Sequence, residues 1–419
     1  MTSRTTPSST ATIAVACIAT AMLMLDISVI NTALSDIAGG LDTGLSGLQW
    51  VIDAYTLPLA ATVLTAGALA DRLGRRRLFV VGLTIFTLAS AACGFAGDIG
   101  VLVAARAVQG IGAAIMFATA LALIAQVSPA PEHRAKALAA FGATIGAAFA
   151  IGPFVGGALT EGLGWRAIFL INVPIGVAAL VITLRRVGEG RDPGAPGVDW
   201  PGQVTLIGGL FWLIFALLRG NERGWGSFEI VASLSAAVVL LVGFGVVEAR
   251  SRAPMLPLRL LRERRFAGAQ VAVFGIASTF FAAFLYITLY LQTVLGMSPI
   301  ETGLVYLPGT VLMFVVSGLT AQFATSIAPA KIASGGLLLV AIGMATMLWA
   351  DADSSWTALL PGVLISCLGT GLFNPAATAL ALDALPAEQS GLASGANDTF
   401  RQTGVAVGIA ALGTLVPAS

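Results

Sequence analysis

Thirteen apolar runs of roughly twenty residues, separated by short stretches rich in charge, glycine or proline, leave this 419-residue chain few ways to fold. A run of that length crosses a lipid bilayer as a helix, because only a helix or a closed barrel satisfies its own backbone there. The spacing predicts α1 at 11–34, α2 at 48–70, α3 at 77–97, α4 at 101–127, α5 at 135–159 and α6 at 166–184. A segment rich in glycine, proline and charge leads to α7 at 203–219 and α8 at 228–247. Then come α9 at 266–295, α10 at 300–325, α11 at 331–350, α12 at 356–381 and α13 at 390–416. Composition agrees: 57% of residues are hydrophobic and 10% charged, against about a quarter charged in soluble domains. The first run has one basic residue before it, Arg4, an acid inside it and no cleavage site, so it is expected to be retained rather than removed as a signal.

Charge patterning sets an expected orientation. With the amino terminus in the cytoplasm, seventeen of the 22 basic residues fall on cytoplasmic segments, including Arg72 to Arg77 and the group from Arg250 to Arg265. Only Arg166, Arg219 and Arg223 fall outside. Trp50, Trp165, Trp225, Trp349 and Trp356 then lie at the outer boundary, as an interfacial aromatic belt would. An internal match supports duplication: GIGAAIMFATALALI from Gly110 and GTGLFNPAATALALD from Gly369 share the core ATALAL at an offset of 259 residues. Pro131-Glu132 and Pro386-Ala387-Glu388 follow the two copies. Helix α4 is thus expected to correspond to α12, and α5 to α13.

Several chemistries are excluded. Cys17, Cys93 and Cys367 sit in apolar runs without metal-ligand spacing, and the single histidine, His133, lies in a charged loop, so neither a metal site nor a histidine relay is expected. The two lysines, Lys136 and Lys331, each follow alanine, which rules out a Walker nucleotide loop. No nucleophile constellation stands out and the loops are too short for a catalytic domain, so an enzyme is not expected. Nothing suggests a nucleic-acid partner.

The polar residues left inside apolar runs carry the functional content. Asp26 lies within α1, where a carboxylate costs about 2.5–3.5 kcal/mol unless it faces a cavity, finds a partner or takes a proton. Burial disfavours a charged carboxyl and a nearby cation favours it, so exchange between those environments would couple proton movement to a conformational change. Asp53 in α2 either snorkels to the outer surface or waits in an apolar cavity. Arg106 in α4, with Gln109 on the same face, needs an acid, and Asp26 and Asp53 are available for exchange or for a static pair. In the loop after α2, GALADRLGRRRLF places Gly67, Asp71, Arg72, Gly74, Arg75, Arg76 and Arg77 together, either as a charge clamp between helix ends or as a topology signal. Gly152, Pro153, Gly156 and Gly157 in α5 allow close packing and a kink, hence a hinge or simple packing. Asn31, Gln109, Tyr286, Tyr290 and Gln292 are candidate cavity groups, with Tyr286 and Tyr290 on one face of α9. For Phe280, Phe281 and Phe284 a lipid-facing position is the simpler expectation.

Gly67 to Leu78 resembles the signature loop GxLaDrxGrkxxl of the major facilitator superfamily, with Arg76 in the usual lysine position. LVAARAVQGIGAA in α4 is similar to the family's lxxxRxxqGxga element, and IGPFVGG in α5 to its antiporter-associated GPxxGG element. The stretches from Trp165, Pro254 and Tyr290, with the additional α7–α8 pair, resemble the fourteen-helix drug:proton antiporter branch over essentially the whole chain. LDISVINTALSDI is similar to that branch around Asp26, and the helix 2 acid after a tryptophan to its exporters of cationic antiseptics.

The resemblance implies an all-α membrane protein of the major facilitator fold. Its parts would be a six-helix bundle over 1–185, a central segment with two extra helices over 186–265, and a second bundle over 266–419. The implied activity is export of small lipophilic or cationic drugs across the cytoplasmic membrane by alternating access, as a monomer without cofactor, driven by the proton gradient. A symporter of the same fold, or a truncated inactive relative, are the alternatives. Two departures stand out: Ala148 where the family usually has glycine, with Gly146 displaced, and thirteen spans where the branch implies fourteen.

Overall fold

The computed structural model describes residues 9–128, 131–191, 197–251, 254–323, 327–349, 354–383 and 390–415. Arg4, Arg252 and the Pro386-Ala387-Glu388 turn lie outside the described residues. The described residues hold helices and no strand: α1 Ser9–Gly40, α2 Leu45–Leu73, α3 Arg75–Gly94, α4 Ile99–Val127, α5 Pro131–Leu163, α6 Ala167–Arg186, α7 Trp200–Arg223 and α8 Phe228–Arg250. These are followed by α9 Arg264–Val294, α10 Pro299–Phe323, α11 Pro329–Met347, α12 Leu360–Asp383 and α13 Ser390–Gly413. Twelve helical segments among the described residues are long and apolar enough to cross a membrane. The remaining helix, α13, spans 24 residues but carries Asn397, Asp398, Arg401 and Gln402 in its first half, which lowers its hydropathy.

The packing repeats. In the first half α1 pairs with α5, and α4 packs on both α2 and α3. In the second, α9 pairs with α13, and α12 packs on both α10 and α11. The expected correspondence of α4 with α12 and of α5 with α13 therefore holds at the level of elements. Its register does not: Gly110 faces the Tyr55 backbone of α2 and Gly112 faces α3, whereas Gly369 faces Gly336 of α11 and Gly371 faces Met313 of α10. Small residues serve close approach in both copies, but the aligned glycines serve exchanged neighbours.

Two helix pairs join the halves. Helix α5 lies along α10, and α2 along α13. Helix α7 packs on α2 and α13 together, and α8 packs on α7. There Gln203 donates to the Ala61 carbonyl (2.9 Å) and accepts from Thr65, and Asn221 donates to the Thr414 carbonyl (2.7 Å).

Proline bends are repaired across helices. Pro153 has no N–H for the Phe149 carbonyl one turn back, and the Ser28 hydroxyl of α1 donates to that oxygen instead (3.2 Å). Pro375 in α12 likewise frees the Gly371 carbonyl, which accepts from Ser317 of α10 (3.1 Å). Helix α9 carries two π-turns, Ala277–Phe281 and Tyr290–Val294.

Two expectations are corrected. Trp165 is a core residue rather than part of an interfacial belt: it is buried beneath Arg166 and edge-on to Phe169. Phe280 and Phe284 are buried rather than lipid-facing, and with the partly buried Phe281 they form an aromatic cluster that reaches Phe149 of α5 and Tyr306 of α10.

Candidate functional site

Asp26 and Arg106 meet in the interior of the first half. Arg106 Nη1 lies 2.5 Å from Asp26 Oδ2, and both side chains are 1% exposed. Four helices besides α1 complete the site. From α4, Gln109 accepts from Arg106 Nη1 (3.0 Å) and donates to Asp26 Oδ1 (2.8 Å). From α6, Asn172 donates to the same Oδ1 (3.2 Å), and from α3 the Ser90 hydroxyl accepts from Gln109 and Asn172 while donating to the Phe169 carbonyl. From α2, the Val51 carbonyl accepts Arg106 Nε (3.1 Å), and the Tyr55 ring stacks on the guanidinium at 4.1 Å. Gly110 makes that stacking possible, since a Cβ there would collide with the Tyr55 backbone. A buried ion pair survives desolvation when surrounding polar groups share its charge, and here Gln109, Asn172 and the Val51 carbonyl do so.

Asp53 does not share in this network. It is 0% exposed and both carboxyl oxygens lack a hydrogen-bond partner among the described residues. The structure therefore pairs Arg106 with Asp26, leaves Asp53 unpartnered, and excludes snorkelling of Asp53 in this conformation.

The remaining candidates fall at the joints. Asp71 Oδ1 accepts both Nε and Nη2 of Arg75 (2.9 and 2.8 Å), across the tight turn made by Gly74 at φ +114°. Arg75 Nη1 reaches the Ala122 carbonyl on α4, and Arg76 Nη2 the Leu184 carbonyl on α6. Arg72 is exposed and Gly67 has no neighbour within 4 Å of where a Cβ would stand. On α5, Gly156 packs on Val29 and Thr32 of α1, Gly152 on Ser28, and Gly157 on Pro299 and Ile300 of α10. Gly303 of α10 in turn sits on the Pro153 carbonyl. Ala148 is buried at the family's usual glycine, while the displaced Gly146 receives Phe314 of α10.

Tyr286 and Tyr290 diverge instead of lining one face. Tyr286 donates to the Ile409 carbonyl on α13 (2.5 Å) and accepts from Gln49 on α2 (2.8 Å), whereas Tyr290 donates to the Ser354 carbonyl (2.9 Å). Gln292 donates to the Thr32 carbonyl of α1 (2.8 Å), and Asn31 turns back to its own helix at Ile27 (3.5 Å).

Sequence reasoning missed Asn172, Ser90, Gln49 and Glu189. Asn172 carried a signal, as a polar residue inside an apolar run. Glu189 takes up the Arg76 N–H (3.1 Å) and lies 3.7 Å from Arg77, a role legible only once α6 is seen to end beside α3.

Fold and site together define a polytopic helical membrane protein of transporter architecture with a buried ion pair. The chain belongs to the Major Facilitator Superfamily, whose family model matches residues 16–409. It is 35% identical over 400 residues to multidrug resistance protein Stp of Mycobacterium tuberculosis (strain CDC 1551 / Oshkosh), covering 95% of this chain and 74% of that one. It is 38% identical to a probable actinorhodin transporter of Streptomyces coelicolor, covering 94% and 70%. With the puromycin resistance protein pur8 of Streptomyces alboniger it shares 35% identity, covering 94% and 79%. The crystal structure of the human organic anion transporter MFSD10 (TETRAN) shares the fold at a TM-score of 0.63 and 16% identity, covering 97% of this chain and 93% of that one.

Proposed function

We propose that this chain exports small lipophilic, drug-like molecules across the cytoplasmic membrane in exchange for protons, as a single chain with its amino terminus in the cytoplasm. The buried Asp26–Arg106 pair carries the reading. Breaking it would strand two opposite charges in a low-dielectric interior; a proton taken by Asp26 removes the negative one, and Arg106 keeps the Tyr55 ring and the Val51 carbonyl. Proton uptake and rearrangement of α1 against α4 are then one event. Helix α1 transmits it, because α5 rests on α1 through Gly152 and Gly156 and on α10 through Gly157. Rocking of the halves about these contacts is alternating access. The relatives named for multidrug resistance and antibiotic export support the direction and the substrate class; the basic loops support the orientation.

The test uses everted vesicles holding the purified chain. An imposed proton gradient should drive uptake of a fluorescent lipophilic dye, uptake should collapse with a protonophore, and Asp26→Asn should abolish the gradient dependence. Undiminished coupling in Asp26→Asn would sink the assignment.

A further inference from the structure

Two buried carboxyl groups that the Asp26 network does not use meet where α7 begins and α8 ends. Asp199 precedes α7 and is 7% exposed; Glu248, in the last turn of α8, is 3% exposed. Backbone engages one oxygen of each. The Gly202 N–H donates to Asp199 Oδ1 (2.8 Å), which caps α7, and the Leu256 N–H donates to Glu248 Oε2 (3.1 Å). The other oxygens, Asp199 Oδ2 and Glu248 Oε1, are buried without a hydrogen-bond partner among the described residues. Gly202 lets the two groups meet, since a Cβ there would lie 2.9 Å from Asp199 Cγ and 3.0 Å from Glu248 Oε1.

Among the described residues neither acid has an ion-pair partner. Arg250 of α8 is exposed, as are Arg259 and Arg262 on the turn Leu258–Arg262 that packs against α8. On the helices under α7, Arg72 of α2 is exposed, Asp71 is held by Arg75, and Asp398 and Arg401 of α13 pair with neither acid. Two carboxylates side by side away from water oppose each other and leave both free oxygens unsatisfied. One proton removes both costs, because an O–H on one oxygen donates to the other. The joint also gathers three parts of the chain. Gln203, beside Gly202, bonds α2; Met255 packs with Leu206 and Leu210 of α7; Leu256 and Leu260 pack with Phe266, Ala381 and Ala396 of α9, α12 and α13.

We propose that Asp199 and Glu248 share one exchangeable proton and act as a proton-gated clamp on the connection into the second half. With the proton in place, the end of α8 and the segment through Leu256 are fixed to the start of α7. Without it, two like charges push them apart. The clamp therefore holds at lower pH and loosens as pH rises through the titration of the pair. It is separate from Asp26 and stands whether or not the chain exports.

The test is amide hydrogen–deuterium exchange of the purified full chain in detergent, read by mass spectrometry over a pH series from mildly acidic to mildly alkaline. Protection of the peptide 249–260, corrected for the intrinsic exchange rate, should fall at least about tenfold towards the alkaline end, while the peptide 228–240 keeps its protection. Glu248→Gln replaces the shared O–H by an N–H that does not titrate, and should hold the acidic-state protection within about twofold at every pH. Asp199→Asn keeps the helix cap and offers an N–H to the ionised Glu248, so it should flatten the response as well. A flat response in the unaltered chain, or an undiminished one in Glu248→Gln, overturns the proposal. A response that survives in Asp199→Asn shows Glu248 titrating alone and overturns the sharing. Loss of protection on adding EDTA at the acidic end would put a metal ion between the acids in place of the proton, and overturns it too.

Discussion

Asp26 and Asp53 are both aspartates inside apolar helices, and they behave oppositely. Asp26 is held by Arg106, Gln109 and Asn172; Asp53 is held by nothing among the described residues. Replacing Asp26 by Asn strands the Arg106 charge and is expected to cost about 3–5 kcal/mol, seen as an earlier unfolding midpoint in detergent. Asp53→Leu removes an unpaired buried polar group and is expected to stabilise by about 1–3 kcal/mol in the same assay. A lower midpoint for Asp53→Leu would mean that Asp53 has a partner in the resting protein. Which acid Arg106 would choose was not legible from the chain, because depth alone allowed both. The choice came from the angular position of Asp26 on α1 relative to α4.

At the scale of elements, the motif glycines divide into two kinds. A Cβ at Gly156 would lie 2.6 Å from the Val29 carbonyl oxygen and 2.8 Å from Val29 Cα. Gly156→Ala must push backbone away from backbone, so a loss of about 1–3 kcal/mol is expected, measured as a lower unfolding midpoint. Gly67, equally prominent in its motif, touches nothing at that position. Gly67→Ala is expected to keep or raise stability by up to about 1 kcal/mol through better helix propensity. If Gly67 is needed for contact in the opposite conformation, the same variant slows turnover, which vesicle efflux at saturating substrate would read. Unchanged turnover would show that Gly67 serves no close contact in the opposite conformation either.

At the scale of the molecule, the polar contacts between the halves near the α1–α2 turn act as a latch. Gln49 bonds Tyr286 and the Ile409 carbonyl, Gln292 bonds the Thr32 carbonyl, and the Ile300 N–H reaches Glu161 at 3.3 Å. Each such bond contributes about 0.5–1.5 kcal/mol net and Gln49 makes two across the halves, so Gln49→Leu with Tyr286→Phe is expected to raise the population open at that end by about five- to 150-fold. A cysteine at Leu285, buried between the halves, should then react faster with an impermeant maleimide in an otherwise cysteine-free chain. An unchanged labelling rate would show that the apolar packing around Leu285 alone holds this end shut.

The sequence by itself determined the class of molecule and most of its helices, because bilayer thickness and backbone satisfaction allow little else for apolar runs of this length and spacing. It also marked Asp26, Arg106 and Gln109, since ionisable and polar groups stand out against hydrocarbon. The tertiary structure decided partnership: that Arg106 takes Asp26, that Asn172 and Ser90 from α6 and α3 complete the network, and that Tyr286 and Tyr290 bond to different elements. Those outcomes depend on the rotation and depth of one helix against another. Rotation and depth are set by small residues at many close contacts together, so no single stretch of sequence contains them.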